Sequence, residues 1–171
     1  MKSSKTRYLC QAAMIAALYV VLTWVSAQLG LASLAIQCRL GEALCILPLF
    51  LPAAVPGLGV GCFIANLVTH SPAPDLVFGT LATVLGAIGC RLIARAWHSQ
   101  SLGNLIVATL PNVLSNTLIV PLVLRYAYHL EDAMWLMAVQ VGAGELISGT
   151  LLGVLLVLAV PQRVRKTLFR P

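Results

Sequence analysis

Residues 133–160 read AMWLMAVQVGAGELISGTLLGVLLVLAV, an apolar run with a single carboxylate, Glu145, near its middle. About 20 predominantly apolar residues are enough for a helix to cross the hydrocarbon core of a bilayer. An ionised side chain at that depth costs about 3 kcal/mol even on the most lenient insertion scale, and it normally marks a binding site or an ion path. The stretch therefore predicts a membrane-spanning helix that carries part of a functional site.

The composition of the whole chain agrees with this prediction. Of the 171 residues, 60% are hydrophobic and only 9% are charged, whereas charged residues make up about 25% of an ordinary soluble domain. Nearly all of the chain lies in six apolar stretches, roughly 8–31, 43–51, 55–69, 75–97, 103–126 and 133–160. We therefore expect residues 1–171 to form a single all-α integral membrane domain, a bundle of six transmembrane helices.

The distribution of charge distinguishes six spans from five. The short second stretch could join the third through residues 52–56, which would give five spans. With six spans, nine of the 11 Lys and Arg residues lie on the N-terminal side and only Arg39 and Arg125 lie opposite; with five spans the split is seven to four. Because cytoplasmic loops carry an excess of Lys and Arg, six spans with both termini cytoplasmic are favoured. The nine residues are Lys2, Lys5, Arg7, Arg91, Arg95, Arg163, Arg165, Lys166 and Arg170.

This topology predicts a polar pocket that opens outward. Glu145 lies about 18 Å from the outer surface, at 1.5 Å per helical residue. Asn112 and Asn116 are four residues apart, so they share a face of the fifth helix at a similar depth. These three residues would form the floor of the pocket. Further polar residues lie near the outer ends of helices, namely Arg39, Glu42, Asn66 and Asp75.

The asparagines and the acid inside the predicted membrane helices have structural interpretations besides ligand binding, and the sequence leaves both open. Membrane asparagines such as Asn66, Asn112 and Asn116 often only join helices through hydrogen bonds. Glu145 is alternatively a structural acid that is protonated or paired with Arg125. Either role would satisfy a polar group inside the bilayer without creating a binding site.

The charged residues at the helix ends have simpler interpretations as well. Arg39 and Glu42 are three residues apart beside a helix start, which is consistent with an exposed ion pair or with an acidic charge at the N-terminus of helix 2. Asp75 follows Pro74 and is consistent with a helix cap. Only their tertiary neighbours distinguish these roles from ligand binding.

Motifs for catalysis, metal binding and nucleotide binding are missing from the sequence. The five cysteines form no CxxC pair, and the three histidines lack the spacing of a metal site. There is no Walker A motif, and the GLGVG glycines at 57, 59 and 61 predict close helix packing. We therefore expect no enzyme activity, no metal and no cofactor.

The cations are divided between the two ends and one loop, as in a membrane protein, so a pI of 9.4 does not indicate nucleic-acid binding. Energy for transport would come from an ion gradient or a partner ATPase.

Helix 1 carries a stripe of small residues near its predicted cytoplasmic end. Ala12 and Ala16 lie on one face, with Ala13 and Ala17 beside them. Small residues at this spacing let another helix approach closely. The stripe is consistent with docking to a separate membrane partner and equally with packing inside the chain.

Together these segments resemble the QueT family, the substrate-binding (S) components of energy-coupling factor transporters. The resemblance covers essentially the whole chain. Its most specific parts are QCRLGEAL, the asparagine-rich helix 5 and GAGEL in helix 6, in this order. The segments that carry it are AAMIAALYVVLT, IQCRLGEALCILPLF, PAAVPGLGVGCFIANL, PDLVFGTLATVLGA, LPNVLSNTLIVPLVLRYAY and VGAGELISGTLLG.

The resemblance implies a six-helix protein of the bacterial cytoplasmic membrane with an extracellular-facing pocket and no catalysis. It implies docking, through the helix 1 alanines, onto one transmembrane T component and two ATPases that hydrolyse ATP. The S component is thought to topple in the membrane and carry its pocket inward. The implied substrate is a queuosine precursor, a 7-deazaguanine with a cyano or aminomethyl group, or queuine itself.

The predicted pocket suits this substrate chemically. A guanine-like edge presents two adjacent donors, which a carboxylate such as Glu145 accepts in bidentate fashion. Ligand acceptors suit asparagine amides or Arg39, and an aminomethyl cation suits a second acid, Glu42 or Asp75. Trp135, Phe78 and Tyr128 are the candidates for stacking on the base.

Two other functions stay open at this point. One is an S component for another small heterocycle, and the other is a stand-alone proton-coupled transporter that uses Glu145 as its relay. The sequence leaves undecided which precursor is preferred, whether the energising module is shared, and whether Glu145 is protonated.

Overall fold

The computed structural model describes residues 2–31, 38–96 and 101–161, with side chains from residue 5 onward. The described part is helical and contains no β-strand. Its helices are α1 (Lys2–Gln28), a 3-10 helix (Leu40–Leu49), α2 (Ala54–Val68), α3 (Ala73–Ala96), α4 (Leu102–Tyr126), α5 (Met134–Glu145), a π segment (Leu146–Leu151) and α6 (Leu152–Ala159). Residues 32–37, between the first two apolar stretches, lie outside the described residues, as do residues 97–100 and the cations Arg163, Arg165, Lys166 and Arg170.

Four helices in the described ranges are long and apolar enough to cross a membrane. They are Lys5–Gln28, Ala73–Ala96, Leu102–Tyr126 and Met134–Ala159, the last being α5, the π segment and α6 together. The 3-10 helix and α2 are apolar but shorter. Each of these six helical elements overlaps one of the six apolar stretches of the sequence.

The bundle exposes leucines and buries acids, the reverse of a soluble protein. Leu9, Leu114 and Leu118 are 66%, 61% and 71% exposed, whereas Glu42 and Asp75 are each only 2% exposed. In water so much contiguous apolar surface would be unfavourable. A lipid-facing surface and a polar interior account for it, so the fold is that of a multi-pass membrane protein.

The short helix after α1 differs from its expected form. The sequence predicted an α-helix over 43–51, but the structure has a 3-10 helix over Leu40–Leu49. A 3-10 helix rises about 2.0 Å per residue, compared with about 1.5 Å for an α-helix, so ten residues extend about 20 Å. The helix packs against α1, α3, the π segment and α6, and most of its residues are buried. It therefore carries Glu42 into the interior of the bundle.

Glycines allow α1 and α2 to pack closely. A Cβ atom at Gly57 would lie 2.7 Å from the carbonyl oxygen of Ala12, and one at Gly61 would lie 3.0 Å from the Cα of Ala16. Gly59 faces α3 instead, where a Cβ would lie 2.8 Å from Val84 Cγ2. The prediction that the GLGVG glycines serve helix packing is confirmed.

A second close contact joins α3 to α4 and positions Asn112. A Cβ at Gly86 would lie 2.6 Å from the Cα of Asn112, and one at Gly89 would lie 2.5 Å from the Cβ of Pro111. Ser115 adds a 2.8 Å hydrogen bond to the Ala82 carbonyl of α3. The α4 backbone is thereby held against α3 at the depth where Asn112 enters the polar interior.

Candidate functional site

Two cavities lie between the helices, one above the other. The wide cavity, of about 380 Å³, lies at the end of the bundle where α2 joins α3 and α4 joins α5; its lining includes Arg39, Asp75 and Tyr128. The narrow cavity, of about 20 Å³, lies deeper, and its lining includes Glu42, Asn116 and Glu145. Since a buried water needs at least about 10–15 Å³, the narrow cavity has room for about one water molecule.

Two carboxylates meet beside the narrow cavity. The Asn112 amide nitrogen donates hydrogen bonds of 3.0 Å to Oε2 of both Glu42 and Glu145. All three side chains are buried. Because each amide hydrogen serves one acid, Asn112 holds the two carboxylates close together without neutralising either.

Glu42 is the better satisfied of the two acids. Besides the bond from Asn112, it accepts a hydrogen bond from the fully buried Tyr19 hydroxyl at Oε1 and one of 3.1 Å from the Cys45 thiol at Oε2. Glu145 accepts a single described hydrogen bond, from Asn112. A carboxylate offers about four lone-pair sites, so Glu145 retains capacity for further donors.

Glu145 lies at a change in helical geometry. It is the last residue of α5, and the π segment begins directly after it. Such π insertions frequently accompany functional sites. A Cβ at Gly149, inside the π segment, would lie 3.3 Å from Glu145 Oε2 and 3.6 Å from Asn112 Nδ2. The glycine therefore leaves room for the bond between these two side chains.

Arg39 lines both cavities. Its guanidinium forms a 3.2 Å ion pair with Asp75 and donates a 3.3 Å hydrogen bond to Asn66 Oδ1. Asn66 also donates 3.2 Å to the Asp75 carbonyl oxygen, and the Tyr128 hydroxyl donates 3.4 Å to the Asp75 carboxylate. Arg39 thus belongs to a polar layer between the narrow cavity and the wide one.

The charge states of this layer follow from its contacts. Burial favours the neutral form of Arg39, but the adjacent Asp75 carboxylate outweighs it and the pKa of the guanidinium is raised. Burial raises the pKa of the Tyr128 phenol, and Asp75 raises it further. Arg39 is therefore a permanent cation and Tyr128 a permanent hydroxyl donor. The buried Thr23 hydroxyl, which has no partner among the described residues, adds a polar group to the wall of the wide cavity.

The structure brings all seven predicted polar residues into one connected region. Five of them line a cavity: Arg39, Glu42, Asp75, Asn116 and Glu145. Asn112 and Asn66 lie behind this layer, where the first holds the acids and the second holds Arg39. The side-chain amide of Asn116 donates a 3.1 Å hydrogen bond to the main-chain carbonyl oxygen of Asn112. The asparagines therefore have the structural role of joining elements through hydrogen bonds, and their role in binding stays a prediction.

Two of the simpler interpretations are wrong. Arg39 pairs with Asp75 across the bundle and not with its near neighbour Glu42. Arg125 donates to the carbonyl oxygens of Leu130 and Asp132 and is not the partner of Glu145. The Asp75 carboxylate is engaged in contacts to other elements, so capping α3 is not its sole role.

The three candidate aromatic residues lie in different parts of the structure. Tyr128 lines the wide cavity. Phe78 lines an apolar groove on the outside of α3 and α4, and Trp135 is 70% exposed. Among the three, Tyr128 is the one positioned beside the site.

The helix 1 alanines divide into two pairs. Ala16 is buried and Ala12 is partly buried, both against the α2 glycines, while Ala13 and Ala17 are exposed. Packing inside the chain therefore accounts for the first pair. Docking to a partner stays a prediction, and the second pair is the one accessible to such a partner.

Several site residues were not predicted from the sequence. Tyr19 is one of these residues. Its position seven residues after Ala12, on the same face of α1, could have indicated that it points into the bundle. Thr83 and Val141 line the narrow cavity, and Val120 lines both cavities. Their side chains are ordinary for membrane helices, so no sequence pattern distinguishes them. The described residues contain no group of three metal-ligand side chains.

A polar site enclosed by apolar helices is typical of a multi-pass membrane protein. The protein-family comparison agrees: the QueT transporter model matches residues 9–162. The chain belongs to the QueT transporter family, which indicates a transporter rather than an enzyme. No curated protein and no solved structure matches the chain significantly.

Proposed function

We propose that the protein is the S component of an energy-coupling factor importer for queuosine precursors. In this proposal it is a six-span protein of the bacterial cytoplasmic membrane with both termini cytoplasmic. It captures a 7-deazaguanine from outside and delivers it through a T component and two ATPases. The family membership supports transport, and the chemistry of the site supports this substrate class.

The observation that carries the proposal is the unequal hydrogen bonding of the two buried acids. Among the described residues, Glu42 accepts from Tyr19, Cys45 and Asn112, whereas Glu145 accepts from Asn112 alone. Glu145 therefore has lone pairs left for a ligand. The N1–H and exocyclic amine of a guanine-like base are adjacent donors that match one carboxylate in bidentate geometry.

Other features of the site agree with a flat, donor-rich ligand. Asn116 lines the narrow cavity beside Glu145, and its amide offers a complementary group to the carbonyl of a base. Tyr128 lines the wide cavity and provides an aromatic face. Three acids against one cation in the polar interior disfavour an anionic ligand.

Transport in this proposal requires the partner module. The chain has no nucleotide-binding motif, so the ATP would be hydrolysed by the partner ATPases. Exposed Ala13 and Ala17 offer a small-residue surface on α1 for a helix of the T component. No cofactor and no nucleic acid take part.

The close pair of carboxylates is also consistent with a second function, proton-coupled transport. Two buried acids that share one amide donor are suited to hold a single proton, as a stand-alone proton-coupled transporter would need. Uptake that stops when the proton gradient is collapsed, while cellular ATP is maintained, would favour that function. Direct binding of other small heterocycles to the purified protein tests whether the substrate class is different.

The decisive experiment replaces Glu145. Because Gln offers one acceptor oxygen and places an NH2 group against a ligand donor, Glu145→Gln should weaken binding of 7-cyano-7-deazaguanine by about 2–4 kcal/mol. Calorimetry on the purified protein measures the affinity without partner subunits. An analogue without the exocyclic amine should bind weakly to the unmodified protein and lose little more in the variant.

The matched control is Glu131→Gln, the same change at an exposed position. It should leave the affinity unaltered. Unchanged affinity in a folded Glu145→Gln protein would refute the proposed base recognition and return Glu145 to a structural or proton-relay role.

A further inference from the structure

The polar interior holds more acidic than basic side chains among the described residues. Glu42, Asp75 and Glu145 are all less than 9% exposed, and the described residues place one cation among them, Arg39. Buried charges are stable only when they are paired or well hydrogen-bonded. A neutral ligand would leave this imbalance in place, whereas a cationic ligand would reduce it.

The proposed orientation of the base directs its substituent toward the wide cavity. In a 7-deazaguanine the C7 substituent is on the five-membered ring, on the opposite side of the bicycle from the exocyclic amine. If Glu145 holds the amine edge at the narrow cavity, the substituent points away from Glu145. The acid that lines the wide cavity is Asp75. Glu42 lies beside Glu145 and already accepts three hydrogen bonds.

Arg39 stands between these two regions. The narrow cavity, of about 20 Å³, is far too small for a bicyclic base, and Arg39 lines both it and the wide cavity. A base that reaches Glu145 from the wide cavity must displace the Arg39 side chain. That side chain is held by one ion pair to Asp75 and one hydrogen bond to Asn66, and 22% of it is exposed. It is therefore held by two described side-chain partners and is partly open to the wide cavity.

We propose that Asp75 is the specificity-determining acid for a cationic substituent, and that the ligand's ammonium group replaces the Arg39 guanidinium at Asp75. The proposal rests on the function proposed above. A 7-aminomethyl group brings its own cation to Asp75, so the carboxylate stays paired when Arg39 moves aside. A 7-cyano group has no charge to offer, so the same movement leaves Asp75 without its ion pair. The site therefore selects the aminomethyl over the cyano compound.

The test compares the affinities of 7-aminomethyl-7-deazaguanine and 7-cyano-7-deazaguanine, which share the guanine-like edge. In Asp75→Asn, the aminomethyl compound should lose about 10–100-fold in affinity, and the loss for the cyano compound should be at least about tenfold smaller. Arg39→Gln removes the competitor for Asp75. Because both ligands must displace Arg39, the change should raise both affinities and keep the preference for the aminomethyl compound. Asp132→Asn, at an exposed position, controls for long-range attraction of the cation and should leave the ratio unchanged.

The ratio of the two affinities is insensitive to the fraction of folded protein, so partial misfolding of a variant does not imitate the result. Equal losses for both ligands in Asp75→Asn, or affinities that Arg39→Gln fails to raise, would overturn this inference alone. If the unmodified protein bound neither ligand, or if Glu145→Gln bound both at full strength, the proposed function itself would fail. The two failures are therefore distinguishable.

Discussion

Asn112 joins the two acids of the narrow cavity with a single amide group. Its position is set by the contact with Gly86 on α3, and its nitrogen donates 3.0 Å to both carboxylates. Its side-chain amide oxygen, Oδ1, is buried and has no partner among the described residues. Asn112 therefore directs its two donors to the acids at the expense of its acceptor, which indicates that the geometry of the carboxylate pair depends on this residue.

A single substitution measures how much the Tyr19 hydroxyl contributes to the stability of the fold. Tyr19→Phe keeps the ring in the core and removes only the donor to Glu42 Oε1. Leaving a buried carboxylate short of a donor should lower the free energy of unfolding by about 1–3 kcal/mol. Thermal or denaturant unfolding of the purified protein in detergent measures the loss.

Tyr126→Phe is the matched control, because Tyr126 is 73% exposed. That change should have little effect on stability. A Tyr19 variant as stable as the Tyr126 variant would contradict a stabilising role for the hydroxyl.

At the level of elements, α1 presents two small-residue faces with different neighbours. Ala12 and Ala16 pack against Gly57 and Gly61 of α2, so a bulky side chain there would separate the two helices. Ala13 and Ala17 are exposed on the neighbouring face. The same stretch of sequence thus serves the internal packing of the bundle and leaves a surface for a partner.

This division predicts opposite outcomes for adjacent residues. Ala17→Trp should abolish uptake by cells and leave ligand binding to the purified protein nearly unchanged, since the exposed face is the one available for docking. Ala16→Trp should impair both, since the indole has no room against Gly61. Binding calorimetry and a cellular uptake assay measure the two properties. Equal loss of uptake and binding in Ala17→Trp would exclude a docking role for this face.

Two helical elements beside the carboxylate pair depart from α-helical geometry. The 3-10 helix carries Glu42 inward, and the π segment follows Glu145 in the last helix. Both departures from α-helical geometry therefore adjoin the carboxylate pair. Irregular helical backbone inside a membrane protein is tolerated where it is packed against protein or lines a cavity.

At the scale of the whole molecule, the proposed topology places the wide cavity on the outside. The cavity lies where α2 joins α3 and α4 joins α5, and these connections are extracellular in the six-span arrangement. The charge bias supports this orientation, because the cations of α3's last turn and of the N-terminus would then face the cytoplasm. A substrate captured from outside would meet the polar layer of Arg39 and Asp75 before it reached Glu145.

Cysteine labelling tests the orientation. In a cysteine-free background, single cysteines at positions 33 and 130 should react with an impermeant thiol reagent added to intact cells, and a cysteine at position 98 should not. Permeabilised cells provide the control, since all three positions should then react. Labelling of position 98 from outside would support five spans and contradict the proposed topology.

The class of protein and the polar residues of its interior could be predicted from the sequence. Hydropathy, charge bias and the depth of Glu145 depend on residues counted along the chain, and a polar side chain in an apolar stretch is conspicuous wherever it occurs. All seven predicted polar residues accordingly lie in one region of the structure. The helix bounds were also close, because apolar stretches end where polar loop residues begin.

The partners of these residues depend on which helices meet, and that is decided by packing. Arg39 pairs with Asp75, 36 positions away, because the 3-10 helix begins beside α2 and α3. Glu42 and Glu145 share Asn112 because Gly86 lets α4 approach α3 and Gly149 leaves space in the last helix. The role of Tyr19, the division of the alanines and the two cavities have the same origin. They arise from close contacts between small residues on different helices, which no pattern along a single helix specifies.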